Sequence, residues 1–373
     1  MDSGIFVTGM LRSGTTLLGK LLGGLPYLQS FTQPLSPLLI KFRRDYLRES
    51  GAPANGLDYP LSDEQCEHWS DPDGFARYLQ NRNLSAQFIR SALTEAAGYS
   101  EYSFVPSDTT ASLGQWHGGS LIAFVRHYFD THGSRRPCLF AWKEVLAESY
   151  IPYFLGENLS VIVIIRDPRD VAASLYERHG EQFIGTPRPI LWMIRQWRKS
   201  VAYAHQLQGH ELVKIVRYED IVHCPEFCLA DWAAWLQIAP SPAAGEMIEK
   251  SLGRWPGNSS FGPVNGVSGQ SVGRYTDALS PSLRETIEAL CYAEMISFGY
   301  TPEIDRGAVD ARIGSGPDQD FLTRPNLAYF TYSDARRQEE RERWNSLNSY
   351  SGHFDPSHFL FKRNYAALID ALH

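Results

Sequence analysis

The residues best suited to chemistry lie close together near the start of the chain, in the stretch "GMLRSGTT" at positions 9–16. This stretch nearly matches the phosphate-binding loop G-x-x-x-x-G-K-[ST], but Thr15 stands where that loop has its lysine. Gly9 and Gly14 allow tight turns, so successive backbone N–H groups converge at the start of the next helix, where the helix dipole favours an anion. The spacing therefore predicts an anion site. A glycine turn that simply leads into a helix is the alternative.

The side chains of this loop indicate which anion it can hold. Hydroxyl donors come from Ser13, Thr15 and Thr16, and Arg12 adds a fixed positive fork. The absent lysine is the group that reaches the β- and γ-phosphates of a nucleoside triphosphate. We therefore expect an anion other than a triphosphate.

A second group of polar side chains follows a strongly apolar run, in "VIVIIRDPRDVAASLYERH". Arg166 comes at the end of this predicted strand, where ligands of open α/β sheets bind. Ser174 and Arg178 are four residues apart on the predicted helix that follows, so they share one face. Together the three side chains suit a second phosphate group. The alternative is that Arg166 pairs with Asp170 and that Arg178 is solvated.

Asp167, directly after the same run, imitates the magnesium-binding aspartate of P-loop enzymes. Pro168 behind it is typical of the first position of a helix, which favours Asp167 as the residue that caps that helix. The sequence therefore predicts no metal at this position.

Alternating apolar runs and amphipathic segments must position these groups. Strands are predicted over 5–8, 27–31, 139–142, 161–165 and 212–216, and helices directly after the first loop, from Pro168, and over 225–236, 280–298 and 335–344. Strands that alternate with helices predict a parallel sheet flanked by helices. Residues 50–135 are predicted to be mostly helical. A long stretch rich in Gly, Ser and Asn covers 255–275, and such long loops are usually functional or disordered.

The composition of the 373-residue chain is that of an ordinary globular protein. Its net charge of −7 argues against a general nucleic-acid binder. Its five cysteines are odd in number and mostly isolated, which favours reduced thiols over a disulfide framework or a zinc site. No run of about 18 apolar residues offers a transmembrane helix. Because only three residues precede the first predicted strand, we expect no signal peptide and a cytoplasmic location.

As a set, these segments resemble the sulfotransferases that use 3′-phosphoadenosine 5′-phosphosulfate (PAPS), with motifs closest to the tyrosylprotein and carbohydrate enzymes and their bacterial relatives. The resemblance covers roughly residues 4 to 50 and 139 to 300. It rests on R-S-G-T-T, I-R-D-P-R-D-V-x-x-S, R-Y-E-D-I-V, G-N-S-S-F, V-G-R-Y and a closing F-G-Y. It implies a P-loop-like three-layer α/β fold with a central parallel sheet, here with a mostly helical insertion and a C-terminal extension.

The resemblance also implies roles for residues at matching positions. The loop from Arg12 to Thr16, including Ser13, Gly14 and Thr15, would hold the 5′-phosphosulfate. The 3′-phosphate would be held by Arg166, Ser174 and Arg178. Further contacts to the nucleotide would come from Tyr218, Arg274 and the loop from Ser259 to Ser271. Lys143 in "WKEV" falls where the family has the lysine of a K-x-P element, with Val145 in place of the proline. Arg12 and Lys143 would then stabilise the charge that develops in transfer, without a metal.

The sequence departs from these relatives at the position of their catalytic base. Where they have a glutamate in an element resembling F-E-P, this chain has Gln33, which cannot accept a proton but could position an acceptor. The candidate bases are His117, His68, Asp108 and Glu144. His117 is preferred because imidazole titrates near neutrality. Glu144 adjoins Lys143, but alternation along a strand would point the two side chains to opposite faces.

The sequence predicts a sulfotransferase-like domain over 1–302, with the insertion at 50–135 on the acceptor side. An extension over 303–373 is predicted to pack on or near the acceptor site. The expected acceptor is a hydroxyl of a small metabolite, glycan or lipid, and no motif identifies it or the oligomeric state. A P-loop kinase is one alternative, opposed by the missing lysine. A protein of this fold that binds without catalysis, or that has been repurposed, is another, motivated by Gln33.

Overall fold

A computed structural model describes residues 4–51, 71–97, 113–133, 139–176, 188–238, 267–318, 329–349 and 353–373. At its centre is a five-stranded sheet formed by β1 (Gly4–Gly9), β2 (Leu28–Thr32), β3 (Leu139–Lys143), β4 (Ser160–Ile165) and β5 (Val213–Arg217). The strands are parallel and lie in the order β2-β3-β1-β4-β5. All five predicted strands are confirmed, and no boundary differs from its prediction by more than one residue.

Helices cover both faces of the sheet, and loops and short turns connect them. Those before β4 are α1 (Thr15–Leu22), α2 (Ser36–Glu49), α3 (Pro72–Gln80), α4 (Ala86–Ala97), α5 (Leu121–His132) and α6 (Ile151–Gly156). Those after β4 are α7 (Pro168–Tyr176), α8 (Ile190–Leu207), α9 (Tyr218–His223), α10 (Pro225–Trp235), α11 (Tyr275–Ala278), α12 (Pro281–Leu290), α13 (Tyr292–Ser297), α14 (Val309–Ser315), α15 (Asp334–Asn348) and α16 (Lys362–Leu372). The prediction of one helix over 280–298 is wrong, because at Cys291 the backbone leaves the helical range (φ −114°, ψ 11°) and separates α12 from α13.

Both faces of the sheet are buried, which gives the three layers that the sequence predicts. Successive residues of a strand point to opposite faces. In β4, Val161, Val163 and Ile165 join one core cluster, whereas Ile162 and Ile164 join another. The first cluster includes residues of α2, α5 and α8, and the second includes residues of α1, α9 and α10. An uninterrupted apolar run is typical of a strand that is covered on both sides.

The C-terminal helices are part of this packing. Helix α16 packs on α8 and α13, and α14 packs on α12 and α15. Glu340 of α15 is almost completely buried and accepts hydrogen bonds from Arg195 and Arg198 of α8. A buried ion pair between Arg343 and Glu294 joins α15 to α13. Whether residues 303–373 also border the acceptor site stays a prediction. None of the helices in the described ranges is long and apolar enough to cross a membrane.

Candidate active site

The five strands all end at one edge of the sheet, because they are parallel. The polar residues singled out in the sequence follow these ends: Gln33 after β2, Lys143 at the end of β3, the loop 9–16 after β1, Arg166 after β4 and Tyr218 after β5. This carboxyl edge is where open α/β sheets bind their ligands. The fold therefore gathers residues that are up to about 200 positions apart in sequence, as expected for such a sheet.

The loop after β1 has the backbone conformation that an anion site requires. Arg12 (φ 67°) and Gly14 (φ 93°) are both left-handed, and Gly14 begins α1 without a side-chain cap. A Cβ atom at Gly14 would lie 2.3 Å from the ring of Tyr218, so only glycine fits there. The Ser13 hydroxyl is completely buried and has no hydrogen-bond partner among the described residues. An unpaired buried donor next to an uncapped helix start favours an anion at this point.

Two arginines meet beside this loop. Arg12 Nε donates to Ser174 Oγ at 2.9 Å, and Arg166 Nη1 donates to the carbonyl oxygen of Arg12 at 3.0 Å. The guanidinium of Arg166 also lies over the Tyr218 ring, 4.3 Å from its centre. Burial, together with the positive charge of Arg166, lowers the pKa of Arg12 to about 10. Neighbouring cations that are removed from water and repel each other are stabilised by an anion between or beside them.

A third segment, 268–275, contacts Arg166, Tyr218 and Asp170. Arg166 Nη2 donates to the carbonyl oxygen of Ser271 at 2.5 Å, and the hydroxyls of Ser271 and Tyr218 are 2.6 Å apart. The Asp170 carboxylate accepts hydrogen bonds from the backbone N–H groups of Gly273 (2.8 Å) and Tyr275 (3.1 Å). Arg274 lies between these two anchored residues.

The alternative partner that the sequence offered for Arg166 is therefore wrong. Within the described parts of the chain, Asp170 forms no ion pair with Arg166 within 4.0 Å and holds the V-G-R-Y segment instead. The charge of Arg166 acts on Asp170 only from a distance, where it opposes the rise in the Asp170 pKa that burial causes. This role of Asp170 could not be predicted from the sequence, because the contacts span more than 100 residues. The same holds for Trp197 of α8, whose indole N–H donates to the carbonyl oxygen of Arg166 at 2.8 Å. Arg178 and Ser259 lie outside the described residues, as do His68 and Asp108.

Lys143, at the end of β3, links the loop after β1 to Gln33, which follows β2. Its ammonium donates to Thr16 Oγ1 at 2.9 Å and to Gln33 Oε1 at 3.2 Å. The side chain is almost completely buried. Burial lowers the pKa of Lys143 to about 8, with Glu144 acting in the opposite direction and Arg12 adding to the decrease. A buried ammonium with a depressed pKa is a group that gains from an anionic ligand.

The two carboxyl candidates near this edge have structural partners. Glu144 is buried and accepts hydrogen bonds from Leu35 N (2.7 Å) and Ser36 Oγ, and burial raises its pKa to about 7. It thus holds the start of α2. Asp167 accepts a hydrogen bond from Arg169 N at 2.9 Å and pairs with the guanidinium of Arg169, which confirms that it caps α7. In the described ranges, no group of three His, Cys, Asp or Glu side chains could hold a metal ion.

His117, the preferred base, is exposed in the turn that precedes α5. Bonds from Trp116 Nε1 to the Leu84 carbonyl oxygen (2.8 Å) and from Leu84 N to the Gly119 carbonyl oxygen (2.7 Å) fix this turn. No hydrogen bond or ion pair among the described residues joins His117 to Lys143 or Gln33. Its role as a base stays a prediction.

Comparison with known proteins agrees with this geometry. Residues 4–239 match the profile of the Sulfotransferase family. Since the match covers more than half of the chain, the protein belongs to the sulfotransferase family. A search of curated proteins gave no match.

Solved structures give weaker likenesses, which add nothing to the family match. The sulfotransferase domain from the curacin biosynthetic pathway is 16% identical, with a TM-score of 0.44 over 78% of this chain and 98% of that domain. Sulfotransferase STF9 from Mycobacterium avium is 14% identical, with a TM-score of 0.38 over 82% and 79%. Retinol dehydratase in complex with androsterone and inactive cofactor PAP is 15% identical, with a TM-score of 0.38 over 78% and 80%.

Proposed function

We propose that this protein moves a sulfuryl group from PAPS to a hydroxyl of a small metabolite, glycan or lipid. The observation that carries the proposal is the cluster of three cations at the carboxyl edge of the sheet, in which Lys143 and Arg166 are buried and Arg12 is partly buried. Burial lowers the pKa of Arg12 and of Lys143, and neither Lys143 nor Arg166 forms an ion pair with a carboxylate of the described residues. Such a cluster is costly unless a polyanion neutralises it.

The donor groups at this edge fit a nucleotide with two separate anionic ends. At the 5′ end, the N–H groups of α1 and the hydroxyls of Ser13, Thr15 and Thr16 would hold the phosphosulfate. The 3′-phosphate would lie with Arg166, Ser174 and Arg178. The buried Ser13 Oγ and Arg166 Nε atoms have no partner among the described residues, as expected of groups that bind a ligand. Tyr218, Arg274 and Ser259 would complete the nucleotide site.

When bound, PAPS would supply the sulfuryl group, and the desulfonated nucleotide would be the leaving group. The task of the chain is then to align the reactants and stabilise the charge that develops, by analogy with phosphoryl transfer. Arg12 and Lys143 would supply fixed positive charge beside the loop, where little water remains to screen it. No metal is required by this arrangement.

The acceptor would approach from the side of Gln33 and of the helices in 50–135. Residues 303–373 would border this side. A general base that removes the acceptor proton contributes about 10²–10⁴-fold to the rate, and His117 is the proposed base. The kinase alternative is disfavoured, since the chain belongs to the sulfotransferase family and lacks the lysine that a triphosphate requires.

The proposal is tested by incubating the purified protein with ³⁵S-labelled PAPS and a panel of phenols, steroids, sugars and lipids, with a chelator present. We expect labelled ester for at least one acceptor and release of the desulfonated nucleotide (PAP). A parallel incubation with γ-labelled ATP and magnesium should give no transfer. Tight PAP binding with no transfer and no PAP release would support a protein that binds the nucleotide without catalysis. Transfer from ATP would support a kinase.

A further inference from the structure

The orientation of the Gln33 amide is fixed by its neighbour. Gln33 Oε1 lies 3.2 Å from the Lys143 ammonium. An ammonium has donors and no acceptor, so the amide oxygen must face it and the amide nitrogen must point away. This nitrogen has no hydrogen-bond partner in the part of the chain that the structure describes, and the side chain is partly exposed. Gln33 therefore presents two N–H donors to whatever lies beside Lys143.

Hydrogen bonds fix the backbone at Gln33 and at the residues that follow it. The backbone of Gln33 is left-handed (φ 48°), a conformation that costs free energy in a residue with a side chain and is often kept at functional sites. Its N–H donates to the carbonyl oxygen of Lys143 at 2.8 Å. Glu144 then fixes the following residues through Leu35 N and Ser36 Oγ. With the backbone anchored and the amide oxygen on Lys143, the N–H groups have little freedom to turn.

Two hydrogen bonds join Thr16, Lys143 and Gln33 in a row that begins at the loop 9–16. Thr16 lies in the first turn of α1, Lys143 donates to it at 2.9 Å, and Gln33 comes next beyond Lys143. A donor at this place stabilises an oxygen that gains negative charge during transfer. The same donor on the attacking hydroxyl would withdraw electron density and slow the attack. The sulfuryl group is therefore the productive partner.

We propose that Gln33 is a catalytic residue whose amide nitrogen donates a hydrogen bond to a sulfuryl oxygen during transfer. The inference rests on the proposed function, in which PAPS is the donor. In the step, a bond forms between the acceptor oxygen and sulfur while the bond between sulfur and the bridging oxygen of the 5′-phosphate breaks. The acceptor proton goes to the base or to solvent. Gln33 gives and takes no proton, so its role differs from that of a glutamate at the same position.

The experiment compares the wild-type protein with Gln33→Met, which keeps the size and removes the donors, and Gln33→Glu, which replaces them by a carboxylate. Gln206→Met, at an exposed glutamine of α8, is the control. Release of labelled sulfate from PAPS, with water as the acceptor, reports turnover without a known acceptor. Calorimetry of PAP, alone and with orthovanadate in the sulfuryl position, reports binding without turnover.

Gln33→Met should bind PAP within about twofold of the wild type, because the amide does not contact the nucleotide. Gln33→Glu should bind PAP more weakly, because its carboxylate offsets the charge of Lys143. Turnover should fall about 10²-fold, the usual loss for one oxyanion donor. The PAP complex should bind vanadate about tenfold more weakly, and Gln206→Met should change none of these values. If sulfate release to water is too slow to measure, the vanadate affinities of the PAP complexes alone test the inference.

Unchanged vanadate affinity and turnover in Gln33→Met would overturn the inference. So would a rise of turnover in Gln33→Glu, since a carboxylate would then serve better than an N–H donor. Failure of the proposed function looks different, because the wild-type protein itself would neither bind PAP nor release sulfate from PAPS.

Discussion

Binding of the nucleotide should take up a proton at alkaline pH, and the proton should go to Lys143. In the free protein, burial lowers the pKa of this ammonium to about 8. An anionic ligand favours the charged form and raises the pKa. Below pH 8 the ammonium is already protonated and no proton is needed. Above pH 8 the protein must first take up the proton that it has lost, so affinity falls as pH rises.

The magnitude follows from the pKa shift. At pH 9 a group of pKa 8 is about nine-tenths deprotonated, so binding takes up about 0.9 proton and the PAP affinity falls about tenfold relative to pH 7. Both phosphates of PAP titrate well below pH 8, so they contribute no protons in this range. Calorimetry at pH 9 in two buffers of different ionisation enthalpy measures the uptake directly.

Lys143→Met should abolish the proton uptake, and its PAP affinity should change little between pH 7 and pH 9. Two results would refute the reasoning. The first is an absence of proton uptake in the wild-type protein, which would mean that Lys143 does not face the anion. The second is an unchanged uptake in Lys143→Met, which would assign the proton to another group.

Three further predictions concern binding and stability. Arg166→Ala should weaken PAP binding at least tenfold by calorimetry, since charge-assisted hydrogen bonds contribute about 1.5–3 kcal/mol each, whereas the exposed control Arg48→Ala should leave it unchanged. Glu340→Gln should lower the free energy of unfolding in urea by about 3–5 kcal/mol, because two buried arginines lose their counter-charge. The control Glu339→Gln removes a more exposed carboxylate and should lower the free energy of unfolding by less than about 1 kcal/mol. Equal effects of the two variants would contradict the role of Glu340 as the buried counter-charge. Burial lowers the pKa of His205 to about 4. Below pH 6.5 the unfolded chain therefore binds a proton at His205 that the folded chain does not bind. The free energy of unfolding at pH 5 should accordingly fall by about 2 kcal/mol relative to that of His205→Gln.

Sequence alone was sufficient to predict the sheet and the glycine turn that leads into α1, and the reason is local. Runs such as 161–165 are apolar at every position, which is typical of a strand covered on both faces. The glycines of 9–16 determine the turn and the start of α1 from within the same stretch. Such features depend on neighbouring residues, and the structure agrees with them almost to the residue.

The contacts that complete the site could not be predicted in this way. The hydrogen bond between Lys143 and Gln33 joins residues 110 positions apart, and Asp170 reaches Gly273 across 103 positions. These pairs meet only because parallel strands end at one edge of the sheet. Glu144 illustrates the same limit. As a candidate base it is indistinguishable in sequence from a free carboxylate, but in the structure both of its oxygens hold the start of α2.

We propose that the cations at the carboxyl edge of the sheet recognise a nucleotide with both a 5′- and a 3′-phosphate. Calorimetry of the wild-type protein with PAP and with 5′-AMP, at pH 7 and matched salt, tests this claim most directly. The 3′-phosphate should add at least one charge-assisted contact, so PAP should bind at least about tenfold more tightly than 5′-AMP. Equal affinity for the two nucleotides would contradict the account.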